Sequence, residues 1–342
     1  MDSITQAALG ASIAGAIAGK TLGRSALLTG ALLGTLPDLD VVIDYGSAVA
    51  NFTQHRGFSH SLFILAPLSL LIAWCLWRWK PQLSYQRWLA LVALILITHP
   101  LLDSFTTYGT QLFWPLGEPV AIHSIFIIDP LYTLPLLAGC LAFLFRPPAS
   151  KALLGGLLLS TLYLGWSVAA QQAITARVKP VLAEAGLAEA PVMVQPMPFN
   201  TILWRVTALS PDRRVEIVTG FLDKQDELVL EAFPRNPQLA SLVAGLPDVQ
   251  RLEWFTRGFL HYERHGHQIT ATDIRLGIPG VHPFTFALAE NTGNDLLPLA
   301  SNRLPRPSLD QAILPVLWSR MTGEMPVLCL ATLAAPTQGS RC

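Results

Sequence analysis

The chain has 342 residues, of which 51% are hydrophobic and only 13% charged, and its mean hydropathy is +0.44. Lysine plus arginine and aspartate plus glutamate each number 23, so the net charge is zero. The low charge excludes a disordered chain and argues against an ordinary cytosolic enzyme. The balance leaves no basic excess, so nucleic acid is not expected as a partner.

The charge deficit is uneven. Residues 1–170 hold 15 charged side chains and residues 171–342 hold 31. Two parts follow: a membrane-embedded domain over 1–172 and a soluble domain over 173–342. Two weaker apolar segments come first. Ile4 to Gly19 carries Gly15-x-x-x-Gly19, and Ala26 to Ile43 carries Gly30-x-x-x-Gly34 before Pro37, Asp38 and Asp40 interrupt it. Small residues four apart let helix backbones approach closely in lipid. Four stronger segments follow: Phe58 to Trp79, Trp88 to Leu102, Phe126 to Phe145 and Ala152 to Ala170. A span needs about 20 mostly apolar residues, so the expected fold is an all-α polytopic membrane bundle of about six helices, the first two short. Asp2 and the lack of an early basic residue argue against a signal peptide. Lys20 and Arg24, then Arg78, Lys80 and Arg87, then Arg146 and Lys151 fall in alternate loops. The positive-inside rule puts those loops in the cytoplasm and both chain termini on the extracytoplasmic side.

The other loops hold the chemistry. Asp38 and Asp40 end the second segment, His55 and His60 precede the third, and His99 and Asp103 end the fourth. Residues i and i+4 share a helix face, so His99 and Asp103 can converge on one ion. Ionisable groups this close to a membrane core are costly and usually functional. Imidazole with carboxylate suits zinc, manganese or iron. Three His and three Asp exceed one tetrahedral site and would suit a two-metal cluster. Arg56 is placed to pair with a substrate phosphate or carboxylate. Asp129, at the start of the fifth segment, is a candidate to orient a water, or simply an N-cap.

These motifs resemble a known family. Met1-Asp2-Ser3-x-Thr5, Pro37-Asp38-x-Asp40, His55-Arg56-Gly57-x-Ser59-His60-Ser61, His99-Pro100-x-x-Asp103 and Asp129-Pro130-Leu131-Tyr132 are similar to the bacterial inner-membrane metal-dependent hydrolases of the YdjM type. The resemblance implies an inner-membrane location. It also implies a distant similarity to zinc phospholipases C, by which Asp38, His55, His60, His99 and Asp103 would be ligands and Asp2 a further one. Many members carry His where this chain has Gln6, which leaves the number of metal ions open between one and three.

In the second half, Gln171 to Leu187 is expected to be a helix leaving the membrane. Thr201 to Leu209 with Val215 to Phe221, and Trp254 to Tyr262 with Gln268 to Leu276, read as hairpins. Short helices are expected near 239–244 and 249–255, giving a small α+β domain. His261, His265 and His267 fit a strand and a polar turn better than a metal site. Cys329 and Cys342 are permitted a disulfide by their expected compartment. The expected activity is metal-dependent hydrolysis of a membrane lipid or lipid-linked phosphoester at the outer headgroup plane, with zinc the first choice of ion. The alternative is a non-catalytic transporter or metal-binding scaffold of the envelope.

Overall fold

The computed structural model describes residues 1–223, 228–292, 295–306, 313–323 and 327–331. The chain divides into two compact units. The first comprises Met1–Ile43, Gln54–Ala169 and Pro198–Asn200, and is mostly helical.

Its helices are α1 (Ser3–Leu22), α2 (Ser25–Thr35), α4 (Leu62–Trp79), α5 (Tyr85–Asp103), α6 (Pro130–Phe145) and the first part of α7 (Ser150–Glu184). Three of them, α4, α5 and α7, are long and apolar enough to cross a membrane. The helices α2 and α6 are apolar but shorter, so three candidate spans stand among the described residues where about six helices are expected to cross. Side chains start the helices as expected of good N-caps. Asp2 accepts from the Ile4 and Thr5 amides, Ser84 from Arg87, and Asp129 from Leu131 and Tyr132.

The α1–α2 hairpin closes on glycine. A Cβ on Gly30 would stand 2.1 Å from the Gly10 carbonyl oxygen, and one on Gly34 would stand 2.5 Å from the Gln6 carbonyl. No side chain fits at such separations, so backbone lies directly on backbone. Gly30 and Gly34 therefore act as the spacing predicts, but against Gly10. Gly15 and Gly19 instead make room for Leu27, Leu153 and Phe143. Two 3-10 turns, Pro37–Val42 and Phe58–His60, follow α2 and precede α4.

The second unit comprises Asp44–Thr53, Ala170–Met197 and Thr201–Cys342. It takes in α3 (Ala48–Gln54), a segment that the sequence places in a loop of the membrane half. Phe52 explains the assignment: its ring packs against Phe255, Phe284 and Phe286 at centroid separations of 5.3, 4.6 and 5.3 Å. The division between the units falls at Ala169/Ala170, inside α7, where the expected span and the helix leaving it run on as one helix of 35 residues.

Two antiparallel sheets make up the rest, as an α+β domain requires. One runs β1 (Val192–Pro196), β2 (Leu203–Leu209), β3 (Arg213–Gly220), β4 (Glu231–Pro234); the other runs β5 (Leu260–His265), β6 (Gln268–Asp273), β7 (Thr285–Asn291), β8 (Leu296–Arg303). Both expected hairpins are present, β2–β3 and β5–β6, the second turning at Gly266 with φ +60°. The short helices α8 (Pro237–Val243) and α9 (Pro247–Thr256) fall where helices are expected, and α10 spans Ile313–Met321. Cys329 is disulfide-bonded, Cys75 and Cys140 are free, and Cys342 lies outside the described residues.

Candidate metal centre

Four side chains converge at the ends of three segments of the first unit. Asp38 comes from the Pro37–Val42 turn, His60 from the Phe58–His60 turn, and His99 and Asp103 from the last turn of α5. The helix continues through Pro100 to Asp103, which keeps the i and i+4 side chains on one face. One ligand atom from each residue lies within 4.8 Å of all the others.

The separations fit a tetrahedron. His60 Nε2 and His99 Nε2 are 3.1 Å apart. His60 Nε2 lies 3.5 Å from Asp38 Oδ1 and 3.2 Å from Asp103 Oδ2. His99 Nε2 lies 3.4 and 3.5 Å from the same two oxygens. Ligands about 2.0–2.1 Å from a central zinc ion would be about 3.3–3.4 Å from one another in a regular tetrahedron. These five edges fall close to that value.

The surroundings settle which nitrogen of each histidine faces inward. His99 Nδ1 is 2.7 Å from the Gly34 carbonyl, which can only accept, so Nδ1 carries the proton and Nε2 a lone pair. The Ser59 hydroxyl donates to Asp40 Oδ2 at 2.6 Å, which leaves it free to accept from His60 Nδ1–H at 2.9 Å. His60 Nε2 is thereby also a lone pair. Two neutral imidazoles thus point lone pairs at each other, beside two carboxylates, in a buried site. Only a cation or an added proton relieves that repulsion. Asp103 Oδ2, buried and without a hydrogen bond, is a further orphan that an ion would satisfy.

Electrostatics on the two turns, which lie outside the apolar helices, agree. Burial alone would raise the Asp38 carboxyl, but the adjacent His60 and His99 outweigh it and hold Asp38 below the ordinary carboxylate range. Burial opposes charge on His60, yet the neighbouring Asp103 and Asp38 carboxylates raise its pKa above the usual 6.5, so with no ion bound the pair favours an added proton there. Asp40 is also lowered: burial pushes it up, and bonds from His55 and Ser59 more than compensate.

Of the six expected ligands, Asp40 and His55 stand outside this cluster. Asp40 accepts from His55 Nδ1 at 2.8 Å, from the Arg56 amide at 3.0 Å and from Ser59. All its capacity goes into fixing the Gln54–His60 loop, and with it the His60 tautomer. Among the described residues the grouped ligand atoms are those of Asp38, His60, His99 and Asp103, which could hold an ion. Arg56, at a left-handed φ of +61°, is buried with its Nε 3.4 Å from Asp103 Oδ2 and its guanidinium over the Tyr108 ring. It therefore faces a ligand, where the sequence assigns it to substrate. Asp129 is the N-cap of α6 and accepts from the Tyr163 hydroxyl at 2.9 Å, outside the cluster. Asp2 caps α1.

Two partners of Asp103 were not foreseen as such. The Met1 amino group and the Gln6 side-chain amide, at 3.1 Å, both donate to Asp103 Oδ1, and Gln6 also donates to the His99 carbonyl. Gln6 is thus a brace for a ligand. Its amide donors suit a carboxylate, a use that residue type alone could have indicated.

Comparison with known proteins agrees with this placement. The family model described as YdjM inner membrane protein matches residues 1–174. The chain belongs to the YdjM inner membrane protein family. The matched region contains all four residues of the cluster, two of the three helices fit to span a membrane and most of the third. Inner membrane protein YbcI of Escherichia coli is 37% identical over 112 residues, 32% of this chain and 64% of that protein. Uncharacterized protein YfhP of Bacillus subtilis is 28% identical over 138 residues, 38% of this chain and 42% of that protein. The chain thus covers less than two thirds of either relative. No solved structure matches.

Proposed function

We propose that this YdjM-family protein is an integral membrane metal-dependent hydrolase that cuts a phosphoester in an amphiphilic substrate, a membrane lipid or lipid-linked molecule, at the outer headgroup plane. The observation that carries the reading is the set of five ligand–ligand separations between 3.1 and 3.5 Å among Asp38, His60, His99 and Asp103. Zinc is the first choice for this N2O2 set, ahead of manganese and iron. When bound, such an ion supplies Lewis-acid charge and a hydroxide nucleophile near neutral pH. Asp38 is the most exposed of the four, its side chain 18% accessible. Arg56 holds Asp103 from behind and adds positive charge towards a phosphate. Asp129 has no part, since its oxygens are taken by the α6 cap and Tyr163.

An amphiphilic substrate is supported by what flanks Asp38. Leu39, Val41 and Val42 on the same turn are 58%, 72% and 81% exposed, an apolar rim suited to the membrane interface. Sidedness is supported by the basic loops, which join the helix ends opposite to those bearing the site. The Cys329 disulfide supports an oxidising compartment for the second unit.

One observation favours a second reading. Four protein ligands close a tetrahedral zinc site, which is the usual form of a structural ion. A non-catalytic metal scaffold would look the same. Purified protein distinguishes the two. Wild type and His99→Ala are assayed for bound metal and for release of phosphate or headgroup from mixed lipid micelles. The hydrolase reading expects stoichiometric metal and metal-dependent release, both lost in the variant. Stoichiometric metal with no metal-dependent turnover on any lipid or phosphodiester sinks it and leaves the scaffold.

A further inference from the structure

The second unit contains a buried basic cluster that the metal centre does not use. Strands β2 and β3 are buried along nearly their whole length. Their register puts Leu209 opposite Arg214 and Thr207 opposite Glu216, so Arg214, Glu216, Arg205 and Thr207 share one face. Glu216 accepts from Arg205 Nε and Nη2 at 2.9 and 2.6 Å and from the Thr207 hydroxyl at 2.7 Å.

Arg214 shares the Glu216 carboxylate as an ion pair but makes no hydrogen bond to it. Its Nε stands 3.3 Å from Glu216 Oε1 without a hydrogen bond, its Nη1 has no partner either, and the side chain is only 5% exposed. Its guanidinium lies over the Phe233 ring. A guanidinium cannot shed its charge, so two buried cations share one carboxylate. Two histidines lie close enough for the Arg214 charge to act on both, His261 and His282. The loop between β6 and β7 brings Gly277 to Arg205, whose Nη1 donates to its carbonyl at 2.6 Å. The neighbouring Leu276 carbonyl accepts from His282 Nδ1–H at 2.8 Å. His282 Nε2 is therefore a bare lone pair, buried and unpartnered, and His261 Nδ1 is buried and unpartnered too. Gly277 has to be glycine for this loop: its φ is +81°, and a Cβ would meet the Val281 carbonyl at 2.6 Å.

We propose that Arg214, His261 and His282 form an anion site that takes a phosphate group still bearing a proton. The charge of Arg214 demands an anion with two acceptor oxygens for Nε and Nη1. The His282 lone pair demands a donor, which a hydrogen phosphate or phosphomonoester supplies through P–OH and a sulfate does not. Burial first, and then Arg205 and Arg214, hold His282 well below the ordinary histidine range, so it stays an acceptor. The nearby acid Glu263 is exposed and lies 3.4 Å from His265. Free phosphate and the phosphomonoester headgroup of a lipid share this chemistry.

The full chain in detergent, stripped of metal with EDTA, tests the site by thermal shift and by titration with inorganic phosphate or sulfate. Wild type is expected to bind one phosphate saturably and sulfate about tenfold or more weakly. Arg214→Met removes the second buried cation but keeps the stem, so it is expected to melt higher than wild type without phosphate and to lose the phosphate response. His282→Gln, whose amide still accepts, is expected to keep part of it. Micelles containing phosphatidic acid that compete with phosphate, where phosphatidylcholine micelles do not, assign the lipid source; no competition assigns the free ion. A wild type that ignores phosphate, equal binding of sulfate, or an Arg214→Met protein that keeps the response overturns the proposal.

Discussion

Replacing Asp40 with asparagine separates the residues that hold an ion from those that aim them. Asp40 touches none of the four convergent atoms, but it accepts from Ser59 at 2.6 Å, from the Arg56 amide at 3.0 Å and from His55 at 2.8 Å. Asparagine keeps one acceptor oxygen and turns the other into a donor. The Ser59 hydroxyl and the Arg56 amide both rely on Oδ2, so at least one charge-assisted bond is lost, worth about 1.5–3 kcal/mol. Freed from Asp40, Ser59 can donate to His60 Nδ1, which moves the ring proton to Nε2 and blocks the lone pair. Groups that orient a metal-binding histidine in this way are typically worth about 10- to 100-fold in affinity. Asp40→Asn is therefore expected to weaken zinc binding by about 10- to 100-fold, or about 1.4–2.8 kcal/mol, while keeping one ion per chain. Competition with a chromophoric chelator in detergent measures this. If Asp40→Asn loses the ion as completely as His99→Ala does, Asp40 is a ligand and the four-residue centre is wrong. If it loses nothing, the chain from Asp40 through Ser59 to His60 does not set the tautomer.

Three further outcomes follow from the packing and the buried charges. Gly30→Ala forces a methyl to within 2.1 Å of the Gly10 carbonyl, so the α1–α2 hairpin must part, at a cost of about 1–3 kcal/mol that thermal unfolding will read. Glu216→Gln strips the carboxylate from a fully buried Arg205 and is expected to cost about 3–5 kcal/mol in phosphate-free buffer, checked by the same melt. His282 is held well below 6.5 in the folded chain, chiefly by burial. The unfolded chain then binds more protons below about pH 6.5, so stability is full above that pH. It falls on acidification towards the folded value by up to about 1.4 kcal/mol per pH unit. The pH dependence of unfolding should flatten in His282→Phe, and an unchanged slope would contradict the assignment.

The helical part and the metal centre were largely legible in the sequence because their signals are local. Apolar runs mark helices, and His99 with Asp103 needs only a helical repeat to converge. What composition could not do was divide six similar residues into ligands and braces. Asp38 and Asp40 differ by two positions on a tight turn, and only their side-chain directions decide which one meets His60. The Met1 amino group carries no side-chain signature at all. The helix α3 was missed as part of the second unit because Phe52 finds its aromatic partners some 200 residues later. The Arg214 cluster draws on β2, β3, β5 and a loop after β6, so no window of sequence contains it. The three-histidine motif around residue 265, by contrast, resolves as a hairpin: His261 is on β5 and His265 is exposed.

His99 draws its orientation from the carbonyl of Gly34, 65 residues earlier in the chain and on another helix. That carbonyl is available because glycine lets α2 lie against α1, with Gly34 over Gln6. Gln6 in turn reaches both His99 and Asp103. The cluster therefore comes together only when α1, α2 and α5 are all in place. An ion bound there would report on that assembly: with α1, α2 or α5 misplaced there would be no site to load, and a loaded chain would have all three helices seated together.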